Sequence, residues 1–357
     1  MKITEAVFIN KIPLIGRTLG ELETVANELG LSAFAARQIA DWLYKKKIRS
    51  VEEMTNLSLK GREKLNENYA VGRYDYSYMQ SSADGTFKYL FPVSENKFVE
   101  TVYIPDKERA TICISSQVGC KMNCLFCMTG KQKFSARLSS SEIINQILSL
   151  PESEKLSNYV FMGMGEPLDN VSELFKTLEI MTADYGLALS PKRITVSTVG
   201  ILPELKQFLE ETTCHIAVSL HSPYHEERLS LMPVEKAYPA EKIIELIRQY
   251  DFSHQRRISF EYVMFGGLND DRRHARDLAN LLSGIPCRVN LIKYHPVPGV
   301  NLPETNKENM IPFRDYLSTH GIISTIRASR GEDILAACGM LSTNTPKFPK
   351  GDFELPL

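Results

Sequence analysis

The stretch Gly119-Cys120-Lys121-Met122-Asn123-Cys124-Leu125-Phe126-Cys127-Met128 places three cysteines in a C-x-x-x-C-x-x-C spacing. Thiolates this close in sequence can each take one iron of a [4Fe-4S] cube, and a complete cube normally takes four. With three, one iron is left open, which implies a small molecule bound there. The same cysteines could instead hold zinc with a histidine as fourth ligand. Structural zinc sites usually join a C-x2-4-C pair to a second, distant pair, and this chain has no second pair.

Outward from this stretch the chain alternates. Strands are expected at Thr111–Ser115, Tyr159–Met162, Arg193–Ser197, His215–Ser219, Ile258–Val263 and Arg288–Ile292, with a last one at Ile322–Arg327. Helical patterns lie between them over 140–150, 171–184, 201–210, 239–249, 271–283 and 307–319. Strands alternating with helices mean βαβ units and a parallel sheet. Six units are too few to close an eight-stranded barrel, so the expected fold is α/β, an open (β/α)6 barrel.

Upstream, Phe87–Pro92 and Lys97–Pro105 read as two strands joined by Ser94-Glu95-Asn96. Before them the chain reads as helical. Leu19, Leu22, Val25 and Leu29, then Ala36, Ile39 and Leu43, recur at three- and four-residue spacing. Gly30 stands where a C-cap belongs, and Ser32 and Ser50 where N-caps belong. The expected domains are a helical accessory unit over 1–72, a β extension over 73–109, the barrel with a C-terminal cysteine loop over 110–342, and a tail over 343–357.

The 357 residues are 43% hydrophobic and 24% charged, as in an ordinary globular protein. No apolar run approaches the roughly 20 residues of a membrane span, and Met-Lys-Ile-Thr-Glu-Ala at the start lacks a signal-peptide core, so a cytoplasmic protein with no membrane partner is expected. Seven unevenly spaced cysteines point to metal or redox chemistry rather than a disulfide framework. A net charge of −1 neither demands nor excludes nucleic acid. Any RNA contact must come from local patches: Lys45-Lys46-Lys47 with Arg49, then Lys131, Lys133 and Arg137, then Arg256-Arg257 and Arg272-Arg273.

In parallel α/β folds chemistry sits at the carboxyl ends of the strands. After the second strand comes Gly163-Met-Gly-Glu-Pro167, where glycines admit a ligand to the backbone and Glu166 offers a carboxylate to an ammonium group. After the third, fourth and sixth come Ser197-Thr198, Ser219-Leu220-His221-Ser222 and Lys293-Tyr294-His295-Pro296. Near the C-terminus, Cys338 sits in Asp333-Ile-Leu-Ala-Ala-Cys-Gly339, where a small buried cysteine is the ordinary reading.

Together these stretches resemble the RlmN/Cfr-type radical S-adenosylmethionine (radical SAM) ribosomal RNA adenine methyltransferases. Matching segments include Val99–Val102, Cys113–Cys120, Phe161–Pro167, Arg193–Gly200, Ser219–Tyr224, Leu231–Pro233, Val289–Ile292 and Ala336–Gly339, so nearly the whole chain is covered. The resemblance implies a [4Fe-4S] cluster held by Cys120, Cys124 and Cys127, and two S-adenosylmethionine molecules per turnover. It implies cofactor contacts at Gly165, Glu166, Ser197, Ser219, Leu220, His221 and His295, the last replacing the family's usual Asn. Cys338 becomes the methyl-carrying cysteine, Cys113 the resolving cysteine that forms a transient disulfide with it, and Glu100 the proton acceptor.

The chemical problem is that C2 of adenine, between two ring nitrogens, is too electron-poor to attack the methyl of S-adenosylmethionine. In the implied scheme Cys338 is first methylated by polar transfer. A 5′-deoxyadenosyl radical then takes hydrogen from that methyl, and the methylene radical adds to the ring. Thiol attack at the Cys338 sulfur frees the product. Arg330-Gly-Glu-Asp-Ile334 is similar to the branch that acts on C2, whose substrates are an adenosine in the peptidyl-transferase centre of 23S rRNA and the adenosine 3′ of the anticodon in tRNA. The N-terminal helices match the family's RNA-binding unit in place, with Trp42 and Tyr44 suited to stacking on unpaired bases. An external one-electron donor such as flavodoxin or ferredoxin, and a monomeric enzyme, complete the expectation. The alternatives are C8 methylation, a radical SAM activase or thioether-forming enzyme acting on protein, and a cluster-bearing electron carrier.

Overall fold

The computed structural model describes residues 11–32, 34–94, 97–252 and 257–343. Three helices come first: α1 (Leu19–Glu28), α2 (Ala35–Ala40) and α3 (Leu59–Asn68). The start of α1 is fixed by a capping box in which Thr18 and Glu21 each satisfy the other's backbone N–H. Its end is fixed by Gly30 at φ +63°. The Gly30 N–H reaches Asn27 O and the Leu31 N–H reaches Ala26 O, the paired bonds of a glycine-terminated helix. Ser50 caps the short helical turn Val51–Glu53 with Glu53 as its reciprocal partner. Helix α2, by contrast, begins after Phe34 with no side-chain cap, so Ser32 does not serve as one.

Ten strands then form one sheet: β1 (Tyr78–Ser81), β2 (Phe87–Ser94), β3 (Lys97–Asp106), β4 (Arg109–Cys113), β5 (Asn158–Phe161), β6 (Ile194–Thr198), β7 (His215–Ser219), β8 (Ile258–Met264), β9 (Cys287–Lys293) and β10 (Ile323–Ile326). Their spatial order follows their chain order from β1 at one edge to β10 at the other. The first four pair antiparallel; β4 to β10 pair parallel. The described sheet is open, with seven parallel strands, because the expected last strand joins the six of the barrel as β10. The expected β extension continues the same sheet through β3 rather than standing apart.

Parallel neighbours need crossovers, and here they are α4 (Ser140–Leu148), α5 (Val171–Thr182), α6 (Leu202–Glu211), α7 (His225–Leu231), α8 (Ala240–Ile247), α9 (Arg272–Leu282) and α10 (Lys307–Thr319). Apart from α7, whose buried residues are Arg228 and Leu231, each lays buried apolar side chains on the sheet. In α8 these include Ile243, Ile244 and Ile247, all buried, and each such side chain contributes about 1.5–3 kcal/mol relative to exposure. The accessory helices rest on the barrel rather than float from it: Ser140 Oγ–H donates to Gly16 O at 2.6 Å and Lys176 pairs with Glu21 at 2.6 Å.

Packing corrects one expectation. Tyr44 is buried, its hydroxyl donating to Arg17 O at 2.5 Å, so it cannot stack on RNA without leaving the core. Trp42 stays partly exposed, with Lys46 Nζ 3.5 Å above its ring. Lys45 and Lys46 share Asp41, Lys47 pairs with Glu154, and Arg137 with Asp169, so two of the expected basic patches are partly neutralised. Arg256, Ser94's neighbours in the expected turn, and the tail beyond Thr343 lie outside the described residues. Among the described residues no helix is long and apolar enough to cross a membrane.

Candidate active site

The carboxyl ends of β4 to β9 open into one cavity. Cys120, Cys124 and Cys127 line it from the loop after β4, Gly165 and Glu166 from the loop after β5, Ser197 from β6, Ser219 and His221 from β7 and its loop, His295 from the loop after β9, and Cys338 from the C-terminal loop. Ten of the residues expected to bind cluster or cofactor, or to carry methyl, thus meet in one place. Leu220 is the exception among the cofactor contacts. Its side chain is buried away from the cavity, and its N–H continues the sheet to Glu261 O at 3.0 Å.

The cysteine loop is shaped by short bonds. Asn123 takes a left-handed φ of +52°, and the single turn Met128–Lys131 begins after Cys127. Burial pushes the Cys120 thiol up to about 12 and raises Cys124 and Cys127 as well. Without a metal these are protonated thiols; a metal would displace the protons. Among the described residues no three His, Cys, Asp or Glu side chains converge on a single ion. A cube makes no such demand, since each of its irons takes one thiolate. The donor set fits a cluster: three thiols on one cavity wall with a buried carboxylate, Glu166, across the same cavity.

Glu166 is held by its own turn. Its Oε1 accepts from Leu168 N–H at 3.1 Å and its Oε2 from Val199 N–H at 3.0 Å, with the Thr198 hydroxyl as a further donor. Burial outweighs these bonds and lifts the carboxyl to about 7. The turn demands glycine twice. A Cβ on Gly163 would lie 2.6 Å from Ile114 O. A Cβ on Gly165, at φ +101°, would lie 2.5 Å from Gln117 Cβ.

His221 also has φ above zero, +62°. Its Nδ1 accepts the Val263 N–H at 3.0 Å, which leaves the ring proton on Nε2 as a donor. Burial, then the Arg228 charge, push its pKa down to about 3, so the ring is neutral. Arg228 is fully buried. It pairs with Glu235 and donates to Val199 O at 2.9 Å, Ser219 O at 3.2 Å and Leu220 O at 3.2 Å. One guanidinium thereby ties the ends of β6 and β7 together behind the cavity. His295 Nε2 lies 3.0 Å from Ser329 Oγ, and burial lowers its pKa.

The Cys338 loop is clamped from two sides. Met128 N–H donates to Gly339 O at 2.7 Å and Thr129 Oγ to Leu341 O at 2.6 Å, so the loop is fixed to the cysteine turn. On the other side Glu100 Oε2 accepts from Ser342 N–H at 2.9 Å and Lys88 Nζ reaches Leu335 O at 3.4 Å. Lys88 and Glu100 form a buried ion pair at 2.9 Å. Burial pushes the Glu100 carboxyl up while Lys88 pulls it down. Glu100 therefore sits under the loop, not in the cavity wall.

Cys338 is open to solvent through the cavity yet deep within it. The surrounding protein raises its thiol, against the opposing pull of Arg327. Cys113 is buried, with its thiol pushed to about 12. The two are free thiols lining one adjoining cavity, together with Met162, His295 and Arg327. Three groups that the sequence reading did not single out belong here: Lys88, Arg228 and Glu261. Glu261 lines the cavity from β8, with Oε1 bonded to Asn290 at 2.7 Å and Ser259 at 3.1 Å. A lone acid at the inward register of an apolar strand was the available signal.

The chain matches the family model described as the radical SAM superfamily over residues 114–279, and that of the ribosomal RNA large subunit methyltransferase N-terminal domain over residues 12–71. A Parabacteroides distasonis protein named "Probable dual-specificity RNA methyltransferase RlmN" is 62% identical over 335 residues, covering 94% of this chain and 98% of the relative. The "Dual-specificity RNA methyltransferase RlmN" of Syntrophus aciditrophicus is 41% identical, over 94% and 97%. The crystal structure of a radical SAM methyltransferase from Sphaerobacter thermophilus superposes with a TM-score of 0.87 at 35% identity, covering 92% of this chain and 99% of that one.

Proposed function

The chain belongs to the RlmN family of radical SAM methyltransferases, and from that premise we propose that it methylates C2 of adenine in RNA. The targets are an adenosine of the peptidyl-transferase centre in 23S rRNA and the adenosine 3′ of the anticodon in tRNA, which places the work in the cytoplasm. The observation that carries the reading is the convergence of Cys120, Cys124, Cys127, Glu166 and Cys338 on one cavity.

When bound at the three cysteines, a [4Fe-4S] cluster supplies the electron that cleaves S-adenosylmethionine. The remaining work falls to the protein. Glu166, ionised beside a cation, holds the ammonium of S-adenosylmethionine, and Gly165 lets that group come close to the backbone. His221, neutral, donates from Nε2, while Ser197, Ser219, the backbone at Leu220 and His295 hold the other polar edges. Cys338 attacks the methyl of a first S-adenosylmethionine as thiolate, helped by Arg327. The 5′-deoxyadenosyl radical from a second takes a hydrogen from that methyl, and the resulting methylene adds to C2.

The carbon then sheds its proton to Glu100, which the loop uncovers when Ser342 lets go. The adduct passes its unpaired electron to an external carrier, Cys113 as thiolate attacks the Cys338 sulfur, the carbon–sulfur electron pair leaves with the carbon, which takes a proton to become the methyl group, and a Cys113–Cys338 disulfide remains for an external reductant to reopen. A flavodoxin- or ferredoxin-type carrier is the expected electron source, and the enzyme works as a monomer. The test is nucleoside analysis of an rRNA fragment and a tRNA after anaerobic reaction with the cluster-loaded enzyme. 2-Methyladenosine in both supports the reading. 8-Methyladenosine, or 5′-deoxyadenosine formed with unmodified RNA, contradicts it.

A further inference from the structure

The strands that present the catalytic cavity at their carboxyl ends carry a different set of side chains at their amino ends. Arg109 opens β4, Arg193 and Lys192 precede β6, Arg257 precedes β8 and Arg288 lies at the start of β9, while Arg327, from the carboxyl end of the edge strand β10, lines the same cavity. All six line one cavity of about 840 Å³. Thr111, Asn158, Thr195 and His215 complete its polar wall, and among the described residues no Asp or Glu lines it. Among the described residues none of the six side chains has an ion pair or a side-chain hydrogen bond. The crowding shows in Arg257, whose pKa is lowered by burial and by the neighbouring charge of Arg288.

Such a cavity is not explained by packing. Closed barrels fill their interior with bulky branched side chains. Here the residues next inward include Thr195, Ser259 and Asn290. They leave a lumen that runs inward from the cations to Met162 and Glu261, two residues that also wall the catalytic cavity. Nor does it belong to the catalytic mouth, which lies at the opposite ends of the same strands. A concavity of one sign with low-dielectric walls focuses its field and concentrates counter-ions. Guanidinium groups present planar forks that match phosphate oxygens in pairs. Six cations match a ligand with several negative charges, and the volume is that of a small-molecule site.

We propose that the amino-terminal end of the barrel is a binding site for a multiply charged phosphate ligand, of the size and charge of a nucleoside di- or triphosphate. The phosphates sit among Arg109, Arg193, Arg257 and Arg288. Arg327 lines both this cavity and the one shared by Cys113 and Cys338, so an occupant here touches the wall behind the thiols. The phosphate could belong to a free nucleotide or to a backbone segment of the RNA substrate, and competition separates these two sources.

The experiment is titration calorimetry of the cluster-loaded enzyme with ATP, with inorganic pyrophosphate and with adenosine as the uncharged control, at low and moderate salt. One ATP or pyrophosphate per chain is expected, weakening as salt rises, with no binding of adenosine. The double variant Arg193→Gln/Arg288→Gln, and separately Arg109→Gln at a more exposed strand end, should each weaken ATP by tenfold or more. Their affinity for S-adenosylmethionine and their melting temperatures should not fall, since removing crowded like charges relieves repulsion. ATP that leaves binding of an RNA hairpin substrate unchanged assigns the site to a free nucleotide; mutual displacement assigns it to RNA phosphates. The proposal is overturned if neither anion binds at millimolar concentration, or if both variants bind anions and RNA as the wild type does.

Discussion

Replacing Glu166 by Gln keeps the shape of the side chain and removes its charge, which isolates what the carboxylate contributes. The two oxygens accept from Leu168 N–H and Val199 N–H at 3.1 and 3.0 Å. A carboxamide keeps one acceptor, so one backbone N–H must face an NH2 group. Losing one such bond in a buried site costs about 1–3 kcal/mol of stability. The loss toward ligand is separate. A charge-assisted bond to an ammonium contributes about 1.5–3 kcal/mol, so S-adenosylmethionine should bind about 10- to 150-fold more weakly. The assay is equilibrium binding to the cluster-loaded variant, with 5′-methylthioadenosine as a ligand that lacks the amino-acid end. That second ligand should bind wild type and variant alike. If S-adenosylmethionine binds equally well to both proteins with the cluster intact, or if the two ligands lose affinity together, Glu166 is not the ammonium site.

The apo protein offers a pH signature of the same residue. Folding raises Glu166 from 4.5 to about 7, so its contribution to stability is full below pH 4.5 and is lost as pH rises through about 7. Relative to Glu166→Gln, which does not titrate, urea unfolding should show wild type losing up to about 3 kcal/mol across that window; parallel pH profiles would contradict this. Arg228→Met leaves Glu235 buried behind the cavity without its guanidinium partner, with His225 and the Ala240 N–H still facing it, and should cost about 3–5 kcal/mol in the same unfolding assay; a loss under 1 kcal/mol would mean the pair is not buried as described. Cys113→Ala should stop turnover at a covalent enzyme–RNA adduct visible on a denaturing gel, whereas free methylated RNA released at the wild-type rate would remove Cys113 from the scheme.

The barrel was legible because its signals are local. The strand His215–Ser219 and the helix 307–319 follow from alternation and periodicity alone, and both stand where expected. Helix α7 was not legible. It is a short segment whose Arg228 is held by Glu235 and by carbonyls from two strand ends, so tertiary contacts make it. Tyr44 shows the limit of periodicity, which finds a helix but does not say which aromatic its core will bury. The cysteine triplet and the Gly-Glu-Pro turn were readable as chemistry because the ligand groups lie close in sequence. The clamp on the Cys338 loop was not, because Glu100 and Ser342 meet across 242 residues. Apart from Arg257, already marked as part of a basic patch, the basic amino-terminal end of the barrel escaped for the same reason. Its cations stand at several separate strands that only the curvature of the sheet gathers.

The central claim is that Cys338 carries the methyl group. The tryptic peptide Gly331–Lys347 contains Cys338 as its one cysteine. Protein made in cells, handled without oxygen, supplied with S-adenosylmethionine and digested, should yield this peptide with one added methyl on that sulfur. An unmodified peptide from protein with its cluster and cofactor in place would contradict the methyl-carrier mechanism.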